Sequence, residues 1–450
     1  MSSLYKILSS YNDIKKRQYF QYICNKTLSK NEQLDILFTN KKTICQQSQY
    51  VLRYKKHTLN WIKFKMAKKK KWCKFRHFVV FMLAKPVFRV WVRLKYKIKI
   101  KKYKKRGQYL ILANHQTGFD QFFCGLAFKN PVYFVASEDL FSNGVLSRIL
   151  KYVVAPIPIK KQSTDIRAVM NCIQVAREGG SIAIFPEGNR TFSGETVFMN
   201  KAIAPLAKKL GLPIAFLRIE GGYGVQPRWS DVCRKGKMKA YVSKVLTPAE
   251  YKSMTDAELY QSIQNELYVD EACLSGLFKH KKLAEYLERA IYVCPHCGLS
   301  EFESNGNVIE CKKCGMKVEY LPTKQLKGIN GDFEFEYVKD WYQYQCDFVN
   351  KIDTRQYYDK ILYQDNATVK EVIIYKDKEL IKQDSTITLY GNKISFEEIG
   401  GHEFIMPFDE ITAITVLGKN KLNIYHCDRL YQIKGDKNFA FSSPDNTFLF

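Results

Sequence analysis

Residues 109–123 read YLILANHQTGFDQFF. An apolar run of strand length, Tyr109–Ala113, ends at Asn114, and His115 and Asp120 follow in the segment where the strand runs out. On one regular helix that separation sets the two side chains about 140° apart. They meet only if the chain turns between them, which Gly118 permits. Asp120 then accepts a hydrogen bond from one imidazole nitrogen, fixes the tautomer and leaves the other nitrogen free to take a hydroxyl proton near neutral pH. Taken alone, the pair also reads as a surface histidine and a helix-capping aspartate.

The surrounding pattern alternates. Apolar runs at Val132–Ala136, Ile182–Phe185, Ile214–Ile219 and Ala240–Val245 have strand length, and helical stretches lie between them. Ala168–Arg177 is stopped by Gly179 and Gly180, and Lys201–Leu210 by Gly211. Strand and helix in alternation predict an α/β domain with a mostly parallel sheet flanked by helices, whose sites form at the strand ends. A second such end reads FPEGNRTFSG: the strand Ile182–Phe185, then Pro186, Glu187, Gly188, Asn189 and Arg190. Here a turn with free backbone donors precedes an arginine that can grip phosphate with two hydrogen bonds. Lys160 and Lys161, after the short apolar segment APIPI, are candidates to reach the same phosphate, and equally a charged turn. Pro213 leads the strand Ile214–Ile219, a structural element or a site wall. The GGYG at 221–224 is no phosphate loop, because no Gly-Lys-Ser/Thr follows it.

In this order the segments resemble the glycerophospholipid acyltransferase family, most closely bacterial 1-acyl-sn-glycerol-3-phosphate (lysophosphatidate) acyltransferases. Asn114–Asp120 matches that family's His-x4-Asp motif and Phe185–Arg190 its Phe-Pro-Glu-Gly-Thr-Arg motif. Ile159–Lys161 matches its basic motif and Leu212–Ile214 its proline-led strand. The resemblance covers roughly residues 75–245, and 72 residues separate His115 from Glu187. Two positions depart from the family: Asn189 stands where Thr or Ser is usual, and Lys161 where arginine is usual.

The resemblance implies a glycerolphosphate-acyltransferase-like fold and direct acyl transfer, with no cofactor needed for catalysis. His115 and Asp120 would be catalytic. Glu187, Gly188, Asn189, Arg190, Lys160 and Lys161 would bind the acceptor. The donor would be an acyl thioester, on CoA or acyl carrier protein, or an acyl phosphate. The acceptor would be the free hydroxyl of lysophosphatidate, or of another lysolipid or glycolipid, in phospholipid synthesis.

The flanks fit a lipid substrate. The chain of 450 residues carries 72 Lys and Arg against 44 Asp and Glu, a net charge of +28 that calls for an anionic partner. From Lys68 to Arg106 there are 17 Lys or Arg and no acidic residue, interleaved with Trp72, Phe75, Phe78, Leu83, Phe88 and Trp91. This predicts amphipathic helices over 66–106, divided at Pro86, lying on an anionic membrane or packed on their own domain. No stretch has the roughly 18 apolar residues of a spanning helix, since Lys85, Pro86, Arg89 and Arg93 interrupt His77–Leu94. The absence of a secretory signal at the N-terminus and the cysteine usage predict a cytoplasmic protein, peripheral or monotopic on the inner face of the cell membrane. Residues 1–65 read as a basic extension, and Met66 in MAKKKKW resembles a start site.

Beyond an acyltransferase domain at 107–290, whose last forty residues read as helical and charged, Cys294-Pro-His-Cys297-Gly and Cys311-Lys-Lys-Cys314-Gly form a ribbon-like module at 291–320. Four thiolates at this spacing suit a structural zinc ion with no open position, and His296 is not needed. From 330 to 450 short strands dominate, among them Glu371–Tyr375, Thr386–Tyr390 and Leu422–Tyr425, giving a mostly-β domain whose strand pattern resembles a PH-like fold. The rival function is a zinc-ribbon adaptor binding nucleic acid or protein. It requires charge beside the ribbon, but Glu301, Glu303, Glu310 and Glu319 offset Lys312, Lys313 and Lys317 there. Nucleic acid is therefore disfavoured.

Overall fold

The computed structural model describes residues 71–159, 165–196, 199–373, 377–398, 400–427 and 429–435. The expected extension at 1–65 lies outside them, as do Lys160 and Lys161. The chain begins with α1 (Phe75–Tyr96) and β1 (Ile98–Ile100), followed by β2 (Leu110–Ala113), α2 (Asp120–Ala127) and β3 (Val132–Ser137). Next come α3 (Gly144–Val153), β4 (Ile157–Ile159), α4 (Ile166–Arg177), β5 (Ser181–Ile184), α5 (Ile203–Leu210), β6 (Ile214–Glu220), β7 (Met238–Leu246) and α6 (Asp256–Leu267).

The seven strands form one sheet in the order β1-β7-β6-β2-β5-β3-β4. All neighbours are parallel except β6 and β7. Strand β2 lies at its centre, and Leu110, Ile111, Leu112 and Ala113 are all inaccessible. Burial on both faces is why this strand is continuously apolar rather than alternating. One face packs on α4, α5 and α6 through Cys172, Val175, Ala204, Ala207, Leu259 and Ile263. Gly211 caps α5 in the left-handed conformation, as its position predicts.

Three expectations for residues 66–106 are corrected, the first being that helices run to Arg106: α1 ends at Tyr96 and β1 follows, drawn into the sheet by pairing with β7. Pro86 does not divide α1, which runs unbroken through it. Proline deprives the Met82 carbonyl of its donor, but both residues lie on the exposed side, so no buried acceptor is orphaned. The charge of α1 is not all outward either. Lys85 donates to Phe128 O, and Arg89 Nη2 to Leu126 O at 3.0 Å. These are carbonyls at the negative end of α2, where cations are stabilised.

After α6 the chain is largely irregular up to Leu287, not helical throughout 250–290. The cysteine module comprises the hairpin β8 (Val293–Cys294) and β9 (Gly298–Leu299) and an antiparallel sheet of β10 (Phe302–Asn305), β11 (Val308–Cys311), β12 (Lys317–Tyr320) and β13 (Leu326–Gly328). Helix α7 (Val338–Val349) follows, a helix inside the segment expected to be strands. Its Trp341 Nε1 donates to Val293 O at 2.8 Å, and Gln345 bonds Tyr292 N and Ala290 O.

The C-terminal sheet is antiparallel, in the order β17-β16-β15-β14-β20-β19-β18. Its strands are β14 (Tyr363–Glu371), β15 (Glu379–Leu389), β16 (Lys393–Glu397), β17 (Glu403–Pro407), β18 (Ile411–Leu417), β19 (Lys421–His426) and β20 (Arg429–Lys434). Of the strand expected at Glu371–Tyr375, Glu371 ends β14, Val372 and Ile373 are not in a strand, and residues 374 and 375 lie outside the described residues. One apolar core joins the module to this sheet, running from Cys294 and Cys311 through Trp341 to Ile387, Phe396 and Ile433.

Candidate active site

The exit loop of β2 makes the turn that Gly118 allows, and α2 starts only at Asp120. His115 Nδ1 lies 2.8 Å from Asp120 Oδ2. The same carboxylate accepts Gln116 N at 2.6 Å and Thr117 N at 2.8 Å on Oδ2, and Thr117 Oγ1 at 2.6 Å on Oδ1. A carboxylate already accepting from backbone amides acts as acceptor toward the imidazole too, so Nδ1 carries the hydrogen and Nε2 presents its lone pair. Asp120 is fully buried while the His115 side chain keeps 21% of its surface accessible. The imidazole is thus partly exposed and its partner is not.

Two further contacts fix the loop. Asn114 Nδ2 donates to Ile219 O at 2.7 Å and its Oδ1 accepts Ile219 N at 2.8 Å, riveting the end of β2 to the end of β6. Phe185 stacks on the imidazole, with centroids 4.6 Å apart. Asn114 sits in the sequence where a strand stops, but its partner lies 105 residues away and carries no local signal.

The second loop turns at Gly188, whose N–H bonds Phe185 O at 3.0 Å and whose φ of 71° suits glycine. Glu187 Oε1 accepts the backbone N–H of His115 at 2.9 Å, so this residue braces the two loops. Burial pushes its carboxyl up to about 8; the bond from His115 opposes this in part, and the nearby Asp120 charge adds to it. Glu187 therefore adds little negative charge at neutral pH. Arg190 has the opposite character. Burial lowers its pKa against the pull of Asp120, and its guanidinium pairs with no carboxylate at contact distance among the described residues.

His115, Glu187, Gly188, Asn189 and Arg190 all line one cavity of about 1410 Å³. Its walls are mainly apolar: Val80, Phe81, Ala84 and Phe88 of α1, Phe122 and Leu126 of α2, Val135, Leu150, Val153 and Ile184. Above it, α1 carries a second apolar stripe on its outer face. Phe75, Leu83, Val87 and Leu94 are 80%, 71%, 69% and 77% exposed, and Ile149 and Tyr152 of α3 are exposed as well. No helix among the described residues is long and apolar enough to cross a membrane.

In the cysteine module the four sulfurs lie within 4.8 Å of one another. Cys294 and Cys314 are 3.6 Å apart, as are Cys297 and Cys311. Gly298 and Gly315, with φ of 72° and 73°, make the two tight turns that converge the pairs. His296 is not part of the cluster.

Comparison with known proteins gives the chemistry a family. The Acyltransferase family model matches residues 95–220. A 1-acyl-sn-glycerol-3-phosphate acyltransferase of Bacillus subtilis (strain 168) is 22% identical over 151 residues, which are 33% of this chain and 72% of that protein. Its counterpart from Borreliella burgdorferi is 30% identical over 112 residues, 24% of this chain and 44% of that one. The crystal structure of the 1-acyl-sn-glycerophosphate (LPA) acyltransferase PlsC from Thermotoga maritima aligns at a TM-score of 0.36 and 21% identity, covering 47% of this chain and 85% of that one. The motif loops that meet at the carboxyl ends of β2 and β5 lie within the residues, 95–220, that match the acyltransferase family, and acyl transfer is the chemistry this match supports.

Proposed function

We propose that the enzyme acylates the free hydroxyl of lysophosphatidate, forming phosphatidate for phospholipid synthesis. The observation that carries this reading is the partly exposed imidazole of His115, held by Asp120 and lining one apolar cavity with Arg190, whose guanidinium pairs with no carboxylate among the described residues. His115 Nε2 takes the proton of the acceptor hydroxyl. The alkoxide oxygen attacks the carbonyl carbon of an acyl thioester, on CoA or acyl carrier protein, or of an acyl phosphate. Backbone N–H groups of the second loop are suited to the tetrahedral oxyanion. Its collapse breaks the bond to sulfur or phosphate oxygen, and the leaving group recovers the proton from the imidazolium. Asp120 holds the ring and stabilises its charge, and no covalent acyl-enzyme is required.

Arg190 holds the acceptor's phosphate, with Asn189 beside it and Lys160 and Lys161 as candidate further contacts. Charge-assisted hydrogen bonds contribute about 1.5–3 kcal/mol, so Arg190→Gln should raise KM for lysophosphatidate about 10–100-fold. KM for the donor should change little. Steady-state kinetics on both substrates check this; an unchanged acceptor KM removes the phosphate role.

The outer stripe of α1 supports a peripheral position on an anionic membrane surface, where a lipid acceptor resides. An exposed apolar face of this extent marks an interface, and the surrounding Lys and Arg contribute about 1 kcal/mol each near anionic lipid. Leu83→Glu with Leu94→Glu alters exposed positions only. Withdrawing two leucines, at ~1.5 kcal/mol or more each, should weaken flotation with phosphatidylglycerol vesicles by ~100-fold. Unaltered flotation contradicts the placement.

The cysteine cluster would hold a zinc ion through Cys294, Cys297, Cys311 and Cys314. Its chemistry is structural cross-linking, since four thiolates complete a tetrahedral shell.

A further inference from the structure

The C-terminal sheet is anchored at two places, each beyond the carboxyl end of a strand of the parallel part of the α/β sheet. Beyond β3, Tyr425 donates its hydroxyl to Glu138 Oε1 at 2.5 Å, Gln432 Nε2 donates to Asp139 Oδ1 at 2.9 Å, and Lys378 pairs with Asp139. Beyond β6 the anchor is Arg228, which is buried. Its Nη1 donates to Arg190 O at 2.8 Å, its Nη2 to Val416 O at 2.6 Å and its Nε to Gly418 O at 3.2 Å. One planar fork thus ties the backbone of the anion-binding loop to the end of β18, a geometry that lysine cannot reproduce.

Between the anchors, Ile414, Thr415, Val416, Leu417 and Gly418 line the cavity that holds His115 and Arg190. The Thr415 hydroxyl is buried and has no hydrogen-bond partner among the described residues. Such a group is costly unless something pairs with it. Burial lowers the pKa of the Arg228 guanidinium, and the nearby charge of Arg190 lowers it further. Cationic excess beside an unpaired hydroxyl is the environment of an anionic, oxygen-rich headgroup.

Resting on the proposed function above, we propose that the C-terminal sheet completes the acyltransfer site: β18 is the wall that limits the acceptor to a small phosphate headgroup, and Arg228 is the positioning residue that holds Arg190 against it. The appended sheet then acts in substrate selection and is not a passive attachment.

The test uses the full-length protein and three variants. Arg228→Met keeps volume and removes the fork; KM for lysophosphatidate should rise about tenfold or more, with donor KM and kcat at saturating acceptor within about twofold. A residue with only a structural role would lower the active fraction, and hence kcat, without moving KM. Arg228→Lys should restore part of the acceptor affinity at most. Ile414→Ala with Leu417→Ala opens the wall and should let lysophosphatidylcholine compete as an acceptor; it serves alone if Arg228→Met does not fold. Variants with wild-type acceptor KM and wild-type headgroup preference overturn the inference. A wild-type enzyme inactive on every lysolipid instead brings down the reading on which it rests.

Discussion

His115→Ala is expected to lower acyl transfer by about 10²–10⁴-fold, the contribution of a positioned general base. The protein should fold unchanged. Asp120 keeps its bonds to Gln116 N, Thr117 N and Thr117 Oγ1, so removing the imidazole does not leave a bare buried carboxylate. The Glu187 brace is also kept, because it uses the backbone N–H of residue 115. The loss should appear in kcat rather than in either KM, since His115 acts on the proton that moves in the transition state. Steady-state rates with circular dichroism as a fold control check this. A His115→Ala enzyme of near wild-type kcat would remove the mechanism, and so would a trapped acyl-enzyme.

Loss of a zinc ion from the proposed four-cysteine site is the second large expected effect. Four-cysteine sites contribute on the order of 10 kcal/mol of apparent binding energy, which becomes folding energy. Here it should reach beyond the module, because Cys294 and Cys311 belong to the same core as Trp341, Phe396 and Ile433. Cys294→Ser should therefore lose stoichiometric zinc and destabilise the C-terminal sheet, read as faster amide exchange in β15, β16 and β19. The α/β sheet has its own core, centred on Leu110, Leu112, Ile182 and Ile214, and should hold. Elemental analysis with hydrogen exchange decides. Protein expressed with zinc available that carries none, and a Cys294→Ser variant with wild-type exchange, contradict the zinc site.

Five of the seven strands of the α/β sheet were legible, the central ones because strands buried on both faces are continuously apolar, as at Leu110–Ala113 and residues 214–217, whereas β1 lies in a segment whose charge pattern suggested helix. The approach of His115 to Asp120 was legible through Gly118, which permits the turn that brings the two side chains together. What failed was tied to direction or distance. A lysine run does not say which members face inward, and Lys85 and Arg89 do so because α2 ends beneath them. Pro86 marks a helix break only where the freed carbonyl is buried, which it is not. Asn114 and Arg228 meet partners 105 and 188–190 residues away, and contacts of that span leave no periodicity to read. The placement of β18 in the cavity wall follows from the same long-range docking, so strand patterns in the C-terminal segment carried no hint of it.

Acylation of a phosphate-bearing lysolipid is tested most directly on purified full-length enzyme incubated with lysophosphatidate, lysophosphatidylcholine and lysophosphatidylethanolamine, each crossed with acyl-CoA, acyl carrier protein thioester and acyl phosphate, with the lipid products identified by mass spectrometry. Phosphatidate is expected from lysophosphatidate with at least one donor, formed in preference to the other diacyl products. No acylated product from any lysolipid with any donor contradicts it.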